Sequence, residues 1–351
     1  MTQLKTTQGN SPDIKISIII SAYNCADYIE RCIASVSQQN IHGVIETIIV
    51  DDASSDATVQ ILQQLKKKYE NDHLIFVLHR LQKNSGPNIA RNIAISKARG
   101  EYLIPLDADD FLFPEALKKL LAVAEKYGSD TAIGGVSVLD GETLHEVARL
   151  AAAENFFDIN IHDHNDLYIF ALSYHYSMLV KMSIIRKNKI RYNESLLASG
   201  DGYYLFSLFF HLNKVSIIKD IIYGRTINIG SICNKKRSYR WYESDISVYC
   251  YLYEKSFSAN KRYIADIRFS YWLKDFFIKD ISIIKKDFNN TDIYNIVQLL
   301  HNMSVKYDIF PEILVYLVDK SPLQLTPQHT LFLKSLTEDP VKALYIFKRY
   351  L

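Results

Sequence analysis

The sequence has little from which to build a cross-linked or membrane-crossing protein. Its 351 residues include four cysteines, Cys25, Cys32, Cys233 and Cys250. They are too few for a disulfide framework and lack the spacing of a metal site, so a reducing, cytoplasmic setting is expected. No stretch approaches the roughly 18 uninterrupted apolar residues of a spanning helix. The start, Met1 to Asp13, is polar and has no apolar core, which argues against a secretion signal. Neither sign of charge dominates. Lys and Arg number 41 against 39 Asp and Glu, and a net charge of +2 carries no strong nucleic-acid footprint. Internal repeats and low-complexity tracts are absent. What remains, 48% apolar and 23% charged residues, is a globular composition for one large domain or two ordinary ones.

What is present is alternation. Ile16–Ile20 is a continuous β-branched run and predicts a strand buried on both faces. A helix is expected from about Asp27, with Ile29, Cys32, Ile33 and Val36 at helical spacing. Ile45–Val50 predicts a second strand ending at Asp51-Asp52, followed by a helix from about Asp56 to Tyr69. Leu74–Leu78 predicts a third strand, and Pro87–Ala98 a helix closed by Gly100 as its C-terminal cap. Tyr102–Leu106 predicts a fourth strand, Pro114–Tyr127 a helix ending at Gly128, and Thr131–Leu139 a fifth strand. Such repeats imply an α/β fold with a parallel sheet and right-handed crossovers. The pattern from 140 to 193 is irregular apart from a strand-like Ser177–Met182. A helix over Gly200–Leu212 and two short strands, Val215–Ile218 and Ile222–Thr226, follow. From Trp241 onward the pattern is helical. These shifts divide the chain into a polar tail (1–14), an α/β domain (15–235) and a helical region (236–351).

The polar punctuation of the first half falls at strand C-termini. Ser21-Ala22-Tyr23-Asn24 follows the first strand and Asp51-Asp52-Ala-Ser-Ser-Asp56 the second. Asn84-Ser-Gly86-Pro-Asn88 follows the third and Asp107-Ala108-Asp109-Asp110 the fourth. In a parallel sheet all four share one edge and converge on one crevice. Three acids as close as those at 107–110 repel one another unless a cation or a donor-rich ligand lies between them. The plain alternative is a helix N-terminus decorated with acids, where Asp is favoured. His162-x-His164 is a metal pair without a placed third ligand, a pattern more often found in ordinary loops.

In this order, Ser-Ala-Tyr-Asn, Val-Asp-Asp-Ala-Ser-Ser-Asp, Asn-x-Gly-x-x-x-Ala-Arg-Asn and Gly-Glu-Tyr-Leu-x-x-Leu-Asp-Ala-Asp-Asp resemble the family 2 glycosyltransferases of the GT-A fold. The resemblance covers about residues 15–140 and continues more loosely through 187–225. Within that family the chain is similar to bacterial enzymes that build capsule, lipopolysaccharide or wall teichoic acid glycans. It implies a Rossmann-like catalytic domain and a UDP-sugar donor. Ala22 (where the family usually has Pro), Tyr23 and Asn24 then meet the nucleotide base, and Asp52 accepts a hydrogen bond from uracil. Asn84, Gly86 and Arg91 close over nucleotide and phosphates. Asp109 holds Mg²⁺ or Mn²⁺ on the diphosphate, while Asp107, with Ala108 between them, faces the ribose and metal-bound waters. Asp110 is expected to orient the site rather than ligate. Asp201 matches the family's general base, although Gly200 stands where the family has Glu. Arg225, Asn228 and Ser231 are the nearest counterparts of the residues that close on the diphosphate, and Lys235-Lys236-Arg237 adds basic charge nearby.

The implied acceptor is a glycan or its lipid-linked precursor. Basic residues beside the apolar face of 261–286 make peripheral contact with the inner face of the plasma membrane one expectation, and packing within the protein the commoner one. Val341–Leu351 is a second docking candidate, and association with a second copy stays open. Two rivals remain, a nucleotidyltransferase and a non-catalytic sugar-nucleotide or glycan-binding module. The first normally carries a Gly-rich basic loop where this chain has Ser-Ala-Tyr-Asn. The second should have lost Asp107, Asp109 or Asp201.

Overall fold

The isoleucine run forms the middle of the sheet. β1 (Ile14–Ala22) pairs in parallel with β2 (Val44–Asp51) on one side and β4 (Tyr102–Pro105) on the other, and β3 (Leu74–Arg80) lies beyond β2. Ile16, Ile18, Ile19 and Ile20 are fully buried, as a strand covered on both faces requires. This computed structural model describes residues 13–160, 163, 175–228, 237–259, 261–276, 280–309 and 326–351. The expected loop at 162–166, Ser231 and Lys235-Lys236 lie outside the described residues, apart from Asp163.

Beyond β4 the sheet is mixed. β9 (Met178–Lys181) runs antiparallel to both β4 and β6 (Thr131–Asp140), so the fifth expected strand does not neighbour the fourth. β10 (Lys214–Ile227) pairs in parallel with β6, and β5 (Phe111–Leu112) antiparallel with β10. β7 (Glu146–Leu150) and β8 (Phe156–Asn160) add to β6 and β10. The order is β3-β2-β1-β4-β9-β6-β10-β5. The two short strands expected at 215–226 are one strand, with register shifts between Ile217, Ile221 and Tyr223. Such irregularities re-aim the chain without ending the pairing.

The crossover helices are α1 (Ile29–Ser37), α2 (Thr58–Tyr69), α3 (Pro87–Lys97) and α4 (Ala116–Tyr127). α4 starts two residues later than Pro114 suggests, because Glu115 takes a left-handed φ of 60° before it. Its end at Gly128, φ 64°, is the expected left-handed cap. Gly100 does not cap α3, whose C-cap is Ala98. A Cβ at position 100 would lie 2.6 Å from the Ser17 backbone nitrogen and hydroxyl, so this glycine serves the close approach of the chain to β1.

Gly224 has a similar task beside the acids. A Cβ there would meet the Phe111 ring at 2.4 Å, and Phe111 directly follows Asp110. Gly224→Ala is therefore expected to destabilise the protein by about 1–3 kcal/mol through overpacking. Urea unfolding should show a lower midpoint at unchanged slope; an unchanged midpoint would refute the close-contact assignment.

The chain divides into two compact units, one of Met1–Glu194 with Ser207–Asn234 and one of Ser195–Phe206 with Lys235–Leu351. After α5 (Met182–Lys187) in the first, α6 (Gly200–Phe209) begins in the second. The second unit continues with α7 (Tyr239–Ser258), α8 (Arg262–Asp275), α9 (Ile281–Asp287), α10 (Asn290–Tyr307), α11 (Pro327–Glu338) and α12 (Pro340–Tyr350). Its centre is aromatic: Phe269, Trp272 and Phe276 stack in series, and Tyr253 stacks on Tyr307. Ile264, Phe276 and Ile281, from the apolar face considered for membrane contact, are buried in this unit. On α12, Ile346 and Phe347 are buried as well. Among the described residues no helix is long and apolar enough to cross a membrane.

Candidate active site

At the C-terminal ends of the parallel strands the first unit gathers the segments singled out in its sequence. Asp52, one residue past β2, donates its N–H to the Ala22 carbonyl at 2.8 Å. Its buried carboxylate accepts from Ser85 N (2.6 Å) and Gly86 N (2.7 Å). Asp52 thus fastens the β3–α3 loop to the end of β2. Gly86 sits at φ 95°, a conformation that glycine reaches without strain, and Pro87 starts α3 immediately after it. Asn24, at φ 47°, receives its own support from the next loop: its N–H donates to the Ser54 hydroxyl and its side-chain oxygen accepts from Ser55 N, both at 2.9 Å. Tyr23 beside it is 49% exposed. A flat ring left open beside a pinned loop is a stacking surface for a planar ligand. Asn84 is exposed on the β3–α3 loop that Asp52 fastens.

The acids after β4 take three different roles. Asp107 pairs with Arg91 on α3 at 2.7 Å, and that guanidinium lies over the Tyr192 ring, 5.3 Å from its centroid. Burial pushes the Asp107 carboxyl up, but the positive charge of Arg91, His175 and Arg225 outweighs it and holds the group below the usual carboxylate range. Asp109 is pushed up, first by burial and then by the charge of Asp107. Asn228 Nδ2 donates to its carboxylate at 3.1 Å and offsets part of the rise. Asp110 is turned into the protein. It accepts from the Tyr223 hydroxyl (2.8 Å) and Thr226 N (2.7 Å), and Tyr223 in turn accepts from Asp107 N (3.1 Å). Burial, followed by Asp107 and Asp109, pushes Asp110 well above its ordinary range. Arg31 and the Thr226 hydroxyl both donate to the Asp109 carbonyl, at 2.8 and 2.6 Å. Arg31, Tyr223 and Thr226 had no signal in the sequence, since each reaches the acids from a distant element.

Two carboxylates side by side, one of them destabilised as an anion, form a site that gains from a cation. Among the described residues no group of three or more His, Cys, Asp or Glu side chains is arranged to hold a metal. Asp107 and Asp109 offer carboxylate oxygens, the kind of donor that a hard cation such as Mg²⁺ takes together with phosphate oxygens and water.

In the second unit, Asp201 stands exposed in the first turn of α6 and accepts from Gly202 N at 2.9 Å. Ser199 precedes it at a left-handed φ of 54°. The Ser199 hydroxyl donates to one oxygen of Asp245 on α7, and Trp272 Nε1 on α8 donates to the other. Burial pushes the Asp245 carboxyl up from 3.8 to about 6, against the lowering effect of those two donors. Below about pH 4 the proton stays on in both folded and unfolded chains. Between about pH 4 and 6 the unfolded chain releases the proton that the folded chain keeps, so stability falls across that window and levels off about 3 kcal/mol lower at neutral pH. Asp245→Asn, which carries no charge to bury, should accordingly raise the melting temperature at pH 7–8 while leaving it nearly unchanged at pH 4. Melting curves across that range check this, and an equal shift at both pH values would exclude a buried charge.

The sheet order, the crossover helices and the acids after β4 have the arrangement of the GT-A fold. Residues 17–188 match the family model described as Glycosyl transferase family 2, and this domain belongs to that family. Among relatives, the poly(ribitol-phosphate) beta-glucosyltransferase of Bacillus spizizenii is 32% identical over 211 residues, 60% of this chain and 32% of that protein. The poly(ribitol-phosphate) beta-N-acetylglucosaminyltransferase TarS of Staphylococcus aureus is 27% identical over 221 residues, 60% of this chain and 35% of that protein. The alignments thus span about a third of the length of these curated relatives. The solved structure of S. aureus TarS 1–349 in complex with UDP-GlcNAc superposes with a TM-score of 0.72 at 21% identity, covering 95% of this chain and 90% of that one. It shares the fold.

Proposed function

We propose that the chain transfers a sugar from a UDP-sugar to a hydroxyl of a bacterial surface glycan, or of its lipid-linked precursor, with inversion at the anomeric carbon. The observation that carries this reading is the convergence on one sheet edge of an open tyrosine ring, a glycine loop pinned by Asp52, and the Asp107–Arg91 pair beside Asp109. Tyr23 offers its face to the base, with Ala22 and Asn24 shaping the backbone beneath it. Asn84 and Gly86 lie against the nucleotide, and Arg91 and Arg225 supply positive charge for the diphosphate. Ser231 belongs to the same group by its motif position.

Asp201 is the general base in this reading. It takes the proton of the acceptor hydroxyl while that oxygen forms its bond to C1 of the sugar. The bond from C1 to the diphosphate oxygen breaks, and UDP leaves with the electron pair. Family 2 enzymes commonly use divalent ions, and Mn²⁺ or Mg²⁺ held through Asp109, with Asp107, would supply positive charge against the leaving diphosphate. The named relatives act on poly(ribitol-phosphate), which makes a wall-polymer hydroxyl the favoured acceptor and UDP-glucose or UDP-GlcNAc the favoured donor.

A panel of UDP-sugars assayed for slow UDP release with and without Mn²⁺ tests this. Metal-dependent release with one hexose or N-acetylhexosamine donor is the expected outcome. UDP binding with no turnover of any sugar, even with ribitol-phosphate polymer added, would favour a binding module instead.

A further inference from the structure

Asp245 is a buried carboxylate in the middle of an aromatic helical unit, only 4% exposed. Burying a charge is costly, and a carboxylate kept in such a place is often functional. Its two described hydrogen-bond donors differ in kind. Trp272 Nε1 is part of the packed core, whereas the Ser199 hydroxyl belongs to the turn that leads into α6. The neighbouring residue on α7 grips the same turn, since Leu197 N donates to the Ser244 hydroxyl at 3.2 Å. Arg237 and Asp280 are the charged groups that act on Asp245, with opposite effects.

What this clamp holds is a strained piece of backbone. Ser199 has a left-handed φ of 54°, which a side-chain-bearing residue adopts only when its surroundings impose it. Its carbonyl accepts from Tyr203 N at 3.0 Å, so Ser199 is the residue from which α6 starts. The rest of that turn packs on α7 too. A Cβ on Gly202 would reach Val248 at 3.6 Å, and the Tyr203 and Tyr251 rings lie 4.4 Å apart. Asp201 lies between Ser199 and Gly202, in a segment whose direction is fixed from α7.

We propose that Asp245 is a positioning residue for the reaction, its carboxylate holding the Ser199 hydroxyl and thereby the turn that presents Asp201. The inference rests on the reading of Asp201 as the general base. Asp245 touches no reacting atom; it fixes the angle at which α6 begins, and so the place of the base. Small displacements of a catalytic group are expensive in rate.

The test uses the full chain with its best UDP-sugar and compares Asp245→Ala, Asp245→Asn, Ser199→Ala and Asp201→Asn for kcat, KM and UDP affinity. Asp245→Ala and Ser199→Ala are expected to lower kcat by about 10–100-fold, with KM for the donor and UDP affinity within about twofold of wild type. Asp245→Asn, which can still bridge Ser199 and Trp272, should restore most of kcat. A general structural role would instead lower UDP affinity and kcat together, and that result overturns the proposal. Should Asp245→Ala fail to fold, Ser199→Ala decides: wild-type kcat there overturns the proposal equally. Loss of turnover in Asp201→Asn, with Ser199→Ala and Asp245→Ala at wild-type rate, sinks the clamp and leaves the base standing. Wild-type turnover in Asp201→Asn removes the base, and the inference with it.

Discussion

Asp201→Asn is expected to lower kcat by about 10²–10⁴-fold, the usual range for loss of a general base. The substitution keeps size and shape, and the amide can still accept from Gly202 N, so the first turn of α6 retains its local hydrogen bond. What disappears is the capacity to take a proton. Because the side chain is exposed, the change should move stability by no more than about 0.5 kcal/mol. UDP affinity should be unaltered, since the base acts on the acceptor and not on the nucleotide. The check is a steady-state comparison with melting temperature and UDP affinity measured on the same preparations. Wild-type kcat in a folded Asp201→Asn protein would assign proton removal to another group.

Asp109→Ala is expected to have an effect of similar size, about 10²–10³-fold on kcat, for an electrostatic reason. Burial and Asp107 already push this carboxyl up, so the folded protein holds it at a cost. Deleting it removes a repulsive neighbour of Asp107 and Asp110, and the variant should be at least as stable as wild type. Asn228 keeps a contact with the Thr226 hydroxyl at 3.2 Å. Lost activity with undiminished stability is the signature of a group retained for ligand binding rather than for folding. A variant that loses activity and stability together would instead make Asp109 a structural acid like Asp110. Denaturant unfolding beside the rate measurement separates the two.

The parts legible in the sequence share a local cause. Ile16–Ile20 and Ile45–Val50 are apolar runs cut off by polar residues, so the strands and their C-terminal ends could be read from a few adjacent positions. Asp52, Asp107 and Asp109 stand in the polar segments that follow a strand, and Gly86 in the loop between β3 and α3, so adjacent positions mark each of them. What could not be read depends on contacts across long separations or on weak local patterns. β5 is two residues long, and β7 is mostly exposed, so neither shows the alternation of a half-buried strand. Asp110 could be suspected of an orienting role, but its partners Tyr223 and Thr226 lie 113 and 116 residues away. Gly100 looked like a helix cap because glycine after a helix commonly is one; the competing requirement, close approach to Ser17, comes from another strand. The grouping of Ser195–Phe206 with the helical unit has the same origin. Tyr203 and Phe206 pack against Tyr251 and Tyr249, and Ser199 binds Asp245, none of which a linear boundary near residue 236 could reveal.

The second unit also changes how the aromatic and basic character of the C-terminal third is understood. Arg237 lies over the Trp241 ring, 4.2 Å from its centroid, and pairs with Asp280. Arg262 lies over Phe257. These cations are engaged within the helical unit, and the aromatics that accompany them in the sequence are largely its core. Packing inside the unit thus accounts for Arg237 and Arg262, whereas Lys285 and Lys286 of the same stretch are exposed.

If a cation and Asp109 share the diphosphate in a sugar-nucleotide crevice, calorimetric titration of UDP into the protein with Mn²⁺ and with chelator will separate the two conditions. Saturable one-to-one binding is expected with Mn²⁺, weakened at least tenfold by chelator and to the same degree in Asp109→Ala. Binding of equal strength with and without the metal, unaffected by Asp109→Ala, would contradict it.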